Sequence, residues 1–572
     1  GIQINLASTQ TSPVAIDNGS ATASLRIGGV LNGINQTAVL INTSAGAFTL
    51  GDGAGTFPIT LGGSQLTAQF FTNNSSNMAT INSDVLFGNG GGGTHYLVFN
   101  GTGNWTLNNK ITNASNITIF GSGTVTMNGA SSTFAGGTFI GQSLTPSILR
   151  AGATQALGTG AITFDTSGNA SIVRLELTGG ISLNNAIAFT ARNNASVAIQ
   201  NISGENTLSG LMTLGTGGVT YTIQSDADKL ALTNAGTSTV TAGKTVYLQG
   251  AGGGSYAGIL AGAGSLAKAG SGTWTISGTH TYTGATTISE GTLQLGNGTT
   301  DGTIGSTSGV TNNAALIYNW IADHTAPYVI GGTGTLTKEG AGTLTLGGTN
   351  TYTGDTTING GAVAVDGDSI ADANKLVING GKLAVSGNET VNALFFGGVL
   401  QAAGTWGAGG SGATHIDNTR FSGAGMLTVA TGSVSSAYTA WAVSKGLTVE
   451  NNGPTQDPEF DGVANVLEFV LGGDPLVSDT SKLPVLTTDA TNFIFTFSRN
   501  DASEAEIGLT FQYGTNLASW AADVPVGAGD STSGAATVTV VENDTAPDTV
   551  QVTIPKTLAV DGKLFGRLNA VK

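Results

Sequence analysis

The chain contains no cysteine. Disulfides, thiol nucleophiles and thiolate metal sites are therefore excluded, and were the chain exported its stability would have to come from repetition. Charge is scarce too, at 9% of the 572 residues. Disorder requires high charge with low hydrophobicity, and here 39% of residues are hydrophobic, so a disordered chain is excluded. There are only 11 prolines, and the 90 glycines follow no G-X-Y triplet, which excludes collagen. No run of about 18 apolar residues occurs, so no helical membrane span is expected. Basic residues number 19 against 35 acidic ones, a net charge of −16. That balance lacks the basic footprint needed for nucleic acid or anionic lipid. The chain starts at Gly1 with no basic and apolar leader, as expected of a mature exported form.

What fills the sequence instead is glycine set between short Thr, Val, Leu and Ile runs, the signature of many short strands joined by tight turns. Residues 332–367 read GTGTLTKEGAGTLTLGGTNTYTGDTTINGGAVAVDG, and residues 262–297 read GAGSLAKAGSGTWTISGTHTYTGATTISEGTLQLGN. The two align without a gap at an offset of 70, matching Lys268 with Lys338, Gly270 with Gly340, Tyr282 with Tyr352 and Ile288 with Ile358. Weaker echoes appear at 101–109, 121–129 and 378–387. Within a copy the apolar period is two: Leu344 and Leu346 alternate with Thr343 and Thr345. Each segment thus has an oily face it cannot bury alone, and stacking successive coils buries it in one continuous core. The expected fold is all-β: a long parallel β-helix over 1–432 with coils of about 20–25 residues, then two smaller regions.

The copies at 262–291 and 332–361 resemble the autotransporter-associated β-strand repeat of bacterial passenger domains. That resemblance implies a right-handed parallel β-helix exported to the surface of a Gram-negative-type bacterium. The tail GKLFGRLNAVK carries no membrane-barrel pattern, so another export route, or cleavage from a longer precursor, is expected.

Composition changes near Ser433. Residues 433–480 are expected to form a helical linker: a short helix around 435–447, then an amphipathic stripe of Val463, Val466, Leu467, Val470 and Leu471 stopped by Gly472-Gly473. From 481 to 572 alternating strands return, beginning with Phe493, Phe495 and Phe497, and point to a small antiparallel, fibronectin-like sandwich. This C-terminal region, with its DPEFDGVANVLEFVLGGDP segment, resembles large secreted proteins of the Verrucomicrobia–Planctomycetes bacteria; no activity comes with the resemblance.

The sharpest chemical motif lies in that segment. Read as a 12-residue EF-hand loop, Asp457, Glu459, Asp461, Asn465 and Glu468 supply oxygens at positions 1, 3, 5, 9 and 12. Gly462 falls at position 6 and the Val463 carbonyl at position 7. Calcium is the expected ion, as a structural cofactor; Glu459 at position 3 and Pro458 at the entry depart from the usual pattern. The alternative reading is an acidic linker before a helix. Elsewhere the acids are sparse: Asp366, Asp368 and Asp372 form one turn-like group, Asp226 and Asp228 another, and Asp355 aligns with Ala285. His95, His280, His324 and His415 are scattered, and the glycine run at 88–93 lacks the lysine of a phosphate loop. Tyr282 and Tyr352 recur at equal offsets and are expected to stack along the coils rather than to present glycan platforms.

These observations favour a structural protein over an enzyme, with no catalytic residue assigned. The expected role is a subunit of a cell-surface filament, sheath or layer that self-associates into a homopolymer, since the solenoid's ends show no evident caps. The segment GIQINLA serves as the solenoid's first strand or is donated to a neighbour. A monomeric adhesin with a C-terminal tip domain, with surface glycans as its partners, is the first alternative; a polysaccharide-active β-helix enzyme is the second.

Overall fold

The computed structural model describes residues 4–16, 25–27, 36–51, 58–61, 67–87, 95–141, 145–164, 172–190, 196–215, 218–431, 437–448, 451–478, 480–517, 520, 522–541 and 547–572. They form two compact units, residues 1–432 and 433–572, each with its own hydrophobic core.

The first unit is a parallel β-solenoid with three faces. One face is a fourteen-stranded sheet that starts at Val14–Ile16 and ends at Ile330–Gly331; a nine-stranded and a twelve-stranded sheet make up most of the other two. The strands form because apolar and hydroxylated residues alternate. Leu344, Leu346, Val363 and Val365 point into the core, while Thr343, Thr345, Ala362 and Ala364 face outward. Coil length varies along the unit. In the fourteen-stranded sheet, strands start at 245, 265, 286, 310 and 330, close to the expected spacing. Near the N-terminus they start at 14, 48 and 79, so the first coils are longer.

The corners are built by the repeated residues. Gly270 and Gly340 both have φ +67, and a Cβ on either would lie 2.6 Å or 2.3 Å from backbone of the coil before, so glycine is required twice over. The matched lysines stand beside them and are fully buried. Lys268 Nζ donates to the carbonyls of Ala269 (2.9 Å), Gly270 (2.5 Å) and Glu290 (3.0 Å). Lys338 Nζ donates to Glu339 and, at 3.0 Å, to Gly340. Each ammonium ties down the corner's carbonyls, and burial lowers the pKa of both, Lys268 to about 8.

The 70-residue offset does not return to the same face. Ser265–Lys268 lies in the fourteen-stranded sheet, whereas its counterpart Thr335–Glu339 lies in the twelve-stranded one. Three coils take the chain from Ser265 to Ile330, and the remaining residues carry it round one further corner.

Ile4–Leu6 pairs with Gln36–Ile41 of its own chain, so this part of GIQINLA is a strand of the solenoid itself. Among the described residues no strand pairs with its outer edge. The other end differs from expectation. Val399–Leu400 runs antiparallel to Ala393–Phe396, and Gly404–Gly407 runs antiparallel to Met426–Val429. Antiparallel strands interrupt the parallel stacking there and cap that end.

In the second unit a five-stranded and a three-stranded antiparallel sheet form a sandwich. Helices α1 (Ala437–Ser444) and α2 (Asn465–Leu471) share its core: Tyr438, Phe469 and Val470 are buried in one cluster with Phe495, Phe511 and Val552. Gly472 ends α2 in a left-handed conformation (φ 71°), as its sequence position predicts. Among the described residues no helix is long and apolar enough to cross a membrane.

Candidate metal loop and the solenoid surface

The segment before α2 folds on its own carboxylates. Asp457 accepts the backbone N–H of Asp461 (3.2 Å) and of Gly462 (2.9 Å), and Asp461 accepts that of Val463 (2.8 Å). Phe460 and Gly462 take positive φ, +57° and +89°, which turns the chain back sharply. As a result Asp457, Glu459 and Asp461 bring carboxylate oxygens within 4.8 Å of one another. Calcium takes such oxygens at about 2.3–2.6 Å, so a slight closing of this group would let one ion meet all three. Both Glu459 oxygens are shut off from solvent yet accept no hydrogen bond, and the same holds for Oδ1 of Asn465. A buried carboxylate without a donor or cation is costly.

The other three residues of the motif are placed differently. Val463, Asn465 and Glu468 are all buried. Asn465 Nδ2 donates to the carbonyls of Asn451 and Gly453, both at 2.9 Å, and so ties the preceding loop to α2. Glu468 lies near Tyr438, whose hydroxyl is raised to about 12 by burial first and then by the Glu468 charge, against the opposing pull of Asn465. The structure thus gathers Asp457, Glu459 and Asp461 and sets Asn465 and Glu468 on the buried side of α2.

Among the described residues of the solenoid the acids form no group of three close enough to hold a metal. Asp366, Asp368 and Asp372 are exposed in one turn. Asp228 accepts Gly204 N–H at 2.7 Å, and Asp355 lies 3.8 Å from Lys375. Among the described residues the only group of three that could hold a metal is the one in the loop. His324 bonds Asp301 at 2.9 Å and His415 stacks on Trp406; the side chain of His95 and the 88–93 run lie outside the described residues. Tyr282 and Tyr352 are buried, each bonded to a threonine four residues on, Thr286 or Thr356, at 2.6 Å. They are core groups, not surface platforms.

His280 has a structural task that its repeat partner reveals. Its Nδ1 accepts the N–H of Leu260 at 3.1 Å, as Asn350 Oδ1 accepts that of Ile330 at 2.8 Å. Burial pushes the imidazole down to about 4, and protonating Nδ1 would remove the acceptor. Because the folded value lies below the unfolded one, near 6.5, this contribution is complete above pH 6.5. It is lost as pH falls toward 4, by about 3 kcal/mol at 1.36 kcal/mol per unit. His280→Asn is expected to keep neutral-pH stability and to lose that share of the pH dependence in a melting series from pH 7 to 4. A variant with the wild-type profile would contradict this.

Residues 120–142, 266–295 and 336–365 match the family model described as passenger-associated-transport-repeat. The latter two fall within the 70-residue copies, and the first covers the weaker echo at 121–129. Three stretches of the solenoid thus carry passenger-type repeats. No curated protein and no solved structure matches the chain. The description of these repeats is that of secreted passengers, which is consistent with a location outside the cell.

Proposed function

We propose that this passenger-type solenoid is a structural protein without a catalytic step, and that it self-associates into a filament, sheath or layer. The observation that carries the reading is a regular, uncharged stretch of the solenoid's outer surface near its N-terminal end. Thr49, Thr80, Thr106 and Thr126 stand in register on successive coils. Beside them Asn82, Asn108 and Asn128 form a hydrogen-bonded ladder, at 2.7 and 3.0 Å. Such columns meet a neighbouring copy without charge repulsion, and the uncovered edge at Ile4–Leu6 adds a second place for contact. The cap formed around 393–429 disfavours growth by simple continuation of the solenoid, so side-by-side association is the expected mode.

Calcium has a structural part in this reading, held by Asp457, Glu459 and Asp461, with the Val463 carbonyl, Asn465 and Glu468 as the further oxygens of the loop. The buried, undonated Glu459 carboxylate supports it. The ion would supply the positive charge that this carboxylate lacks, and so link metal binding to folding of the C-terminal unit.

Negative-stain electron microscopy of the full chain over a rising concentration series tests the assembly. Filaments or ordered bundles are expected, and because few charges are involved they should persist in 0.5 M salt. Dispersed particles at every concentration would sink the polymer reading.

A further inference from the structure

One strip of the solenoid differs from the threonine and asparagine columns. In the fourteen-stranded sheet the outward column after Thr126 runs, coil by coil, through Arg150, Glu176, Gln200, Gln224 and Gln249. Glu176 is held by Arg150 and Arg174, each at 2.7 Å. Asp226 accepts the amides of Gln200 and Gln224, both at 2.5 Å, and Gln249 donates to Gln224 at 2.6 Å. These five residues are scattered in sequence, and parallel register alone aligns them.

On the next coil the column stops, because Ala269 and Gly270 follow Lys268 and offer no side chain to continue it. There the surface opens into a depression of about 510 Å³. Gln224, Asp226, Gln249, Ser271 and Glu290 line it.

We propose that this depression binds a neutral, hydroxyl-rich glycan. A sugar hydroxyl both donates and accepts. The carboxylates of Asp226 and Glu290 can accept its hydrogen bond, the Gln249 amide can serve in either sense, and Ser271 in both. Asp226 is already fixed by two amides, so part of the ordering cost of binding is met before the ligand arrives. Charge sets the class: both ionisable groups of the lining are acidic, and the nearby arginines are engaged by Glu176, so uronic-acid and sulfated chains are repelled. No aromatic ring lines the depression, and binding is therefore weak, in the millimolar range. The inference concerns a site on a single copy and does not depend on self-association.

Affinity electrophoresis of the full chain in EDTA separates this from a ladder that merely staples coils. The gels would contain galactomannan, mixed-linkage β-glucan or arabinoxylan, with polygalacturonate as the anionic control. Retardation by at least one neutral polysaccharide is expected, none by polygalacturonate. Gln249→Ala and Glu290→Ala should each weaken the retardation at least tenfold. Glu290 is exposed, so its variant should melt as the wild type does and report binding even if Gln249→Ala is unstable. Retardation by no neutral polysaccharide, stronger retardation by polygalacturonate, or retardation unchanged in Glu290→Ala overturns the proposal.

Discussion

Millimolar calcium added to the EDTA-treated protein is expected to raise the melting temperature of the C-terminal unit by roughly 5–10 °C and leave the solenoid transition where it was. Ligand at a hundredfold its dissociation constant stabilises by about 2.7 kcal/mol, and a unit of this size gains about 2–4 °C per kcal/mol. The effect should stay within residues 433–572 because each unit has a separate core. It should reach the sandwich because α2, which starts inside the loop, buries Phe469 and Val470 in the same cluster as Phe495 and Phe511.

Glu459→Gln distinguishes an ion site from a packed acidic turn. It removes a charge whose two oxygens are buried without a donor, so the metal-free variant should melt no lower than the metal-free wild type, yet lose the response to calcium. Asp461→Asn should lose the response as well, while its oxygen can still accept the Val463 N–H. Two-wavelength melting or differential scanning calorimetry reads both. A wild type that ignores calcium, or a Glu459→Gln variant that responds fully, removes calcium from the account.

Trp274→Ala is expected to cost about 3–5 kcal/mol, the range for truncating a buried aromatic. Trp274 is wholly buried, and its indole N–H reaches the Gln249 carbonyl at 3.3 Å. It sits in register with Gly254 on the coil before, whose added Cβ would lie 2.5 Å from the indole ring. The ring fills space that this glycine leaves open. Trp274→Leu should cost less, since leucine keeps part of the apolar volume and the matched residue of the later copy, Leu344, is also fully buried. In a stacked array each coil contacts only its neighbours. The loss should therefore appear first as faster hydrogen exchange in the strands Gly253–Tyr256, Thr273–Ile276 and Thr292–Leu295. Uniform loss of protection along the whole unit, or none at all, would count against coil-by-coil stability.

Much of the fold was legible from local pattern. Alternation of period two marks Leu344, Leu346, Val363 and Val365 as core because a strand turns successive side chains to opposite faces. The stop at Gly472 and the order of oxygen donors from Asp457 to Glu468 are local as well. The corner lysines were legible as repeat markers but not as buried groups, since a lysine in sequence reads as solvated. Only the closing of the corner shows Lys268 and Lys338 surrounded by carbonyls. The shared task of His280 and Asn350 was hidden in the same way: the N–H each accepts comes from the preceding coil.

By itself, then, the sequence determined that this chain stacks β-coils and where its strands, corners and carboxylate loop fall, because hydrophobic period, glycine conformation and donor order act within a few residues. Tertiary structure alone decided which distant residues meet. Coil length is the running sum of every corner passed, so it sets register: it turned a 70-residue repeat through one extra face and aligned Arg150 through Gln249 in one column. In the loop, backbone turns at Phe460 and Gly462 gathered three carboxylates, while packing of α2 on the sandwich core fixed Asn465 and Glu468 on its buried side.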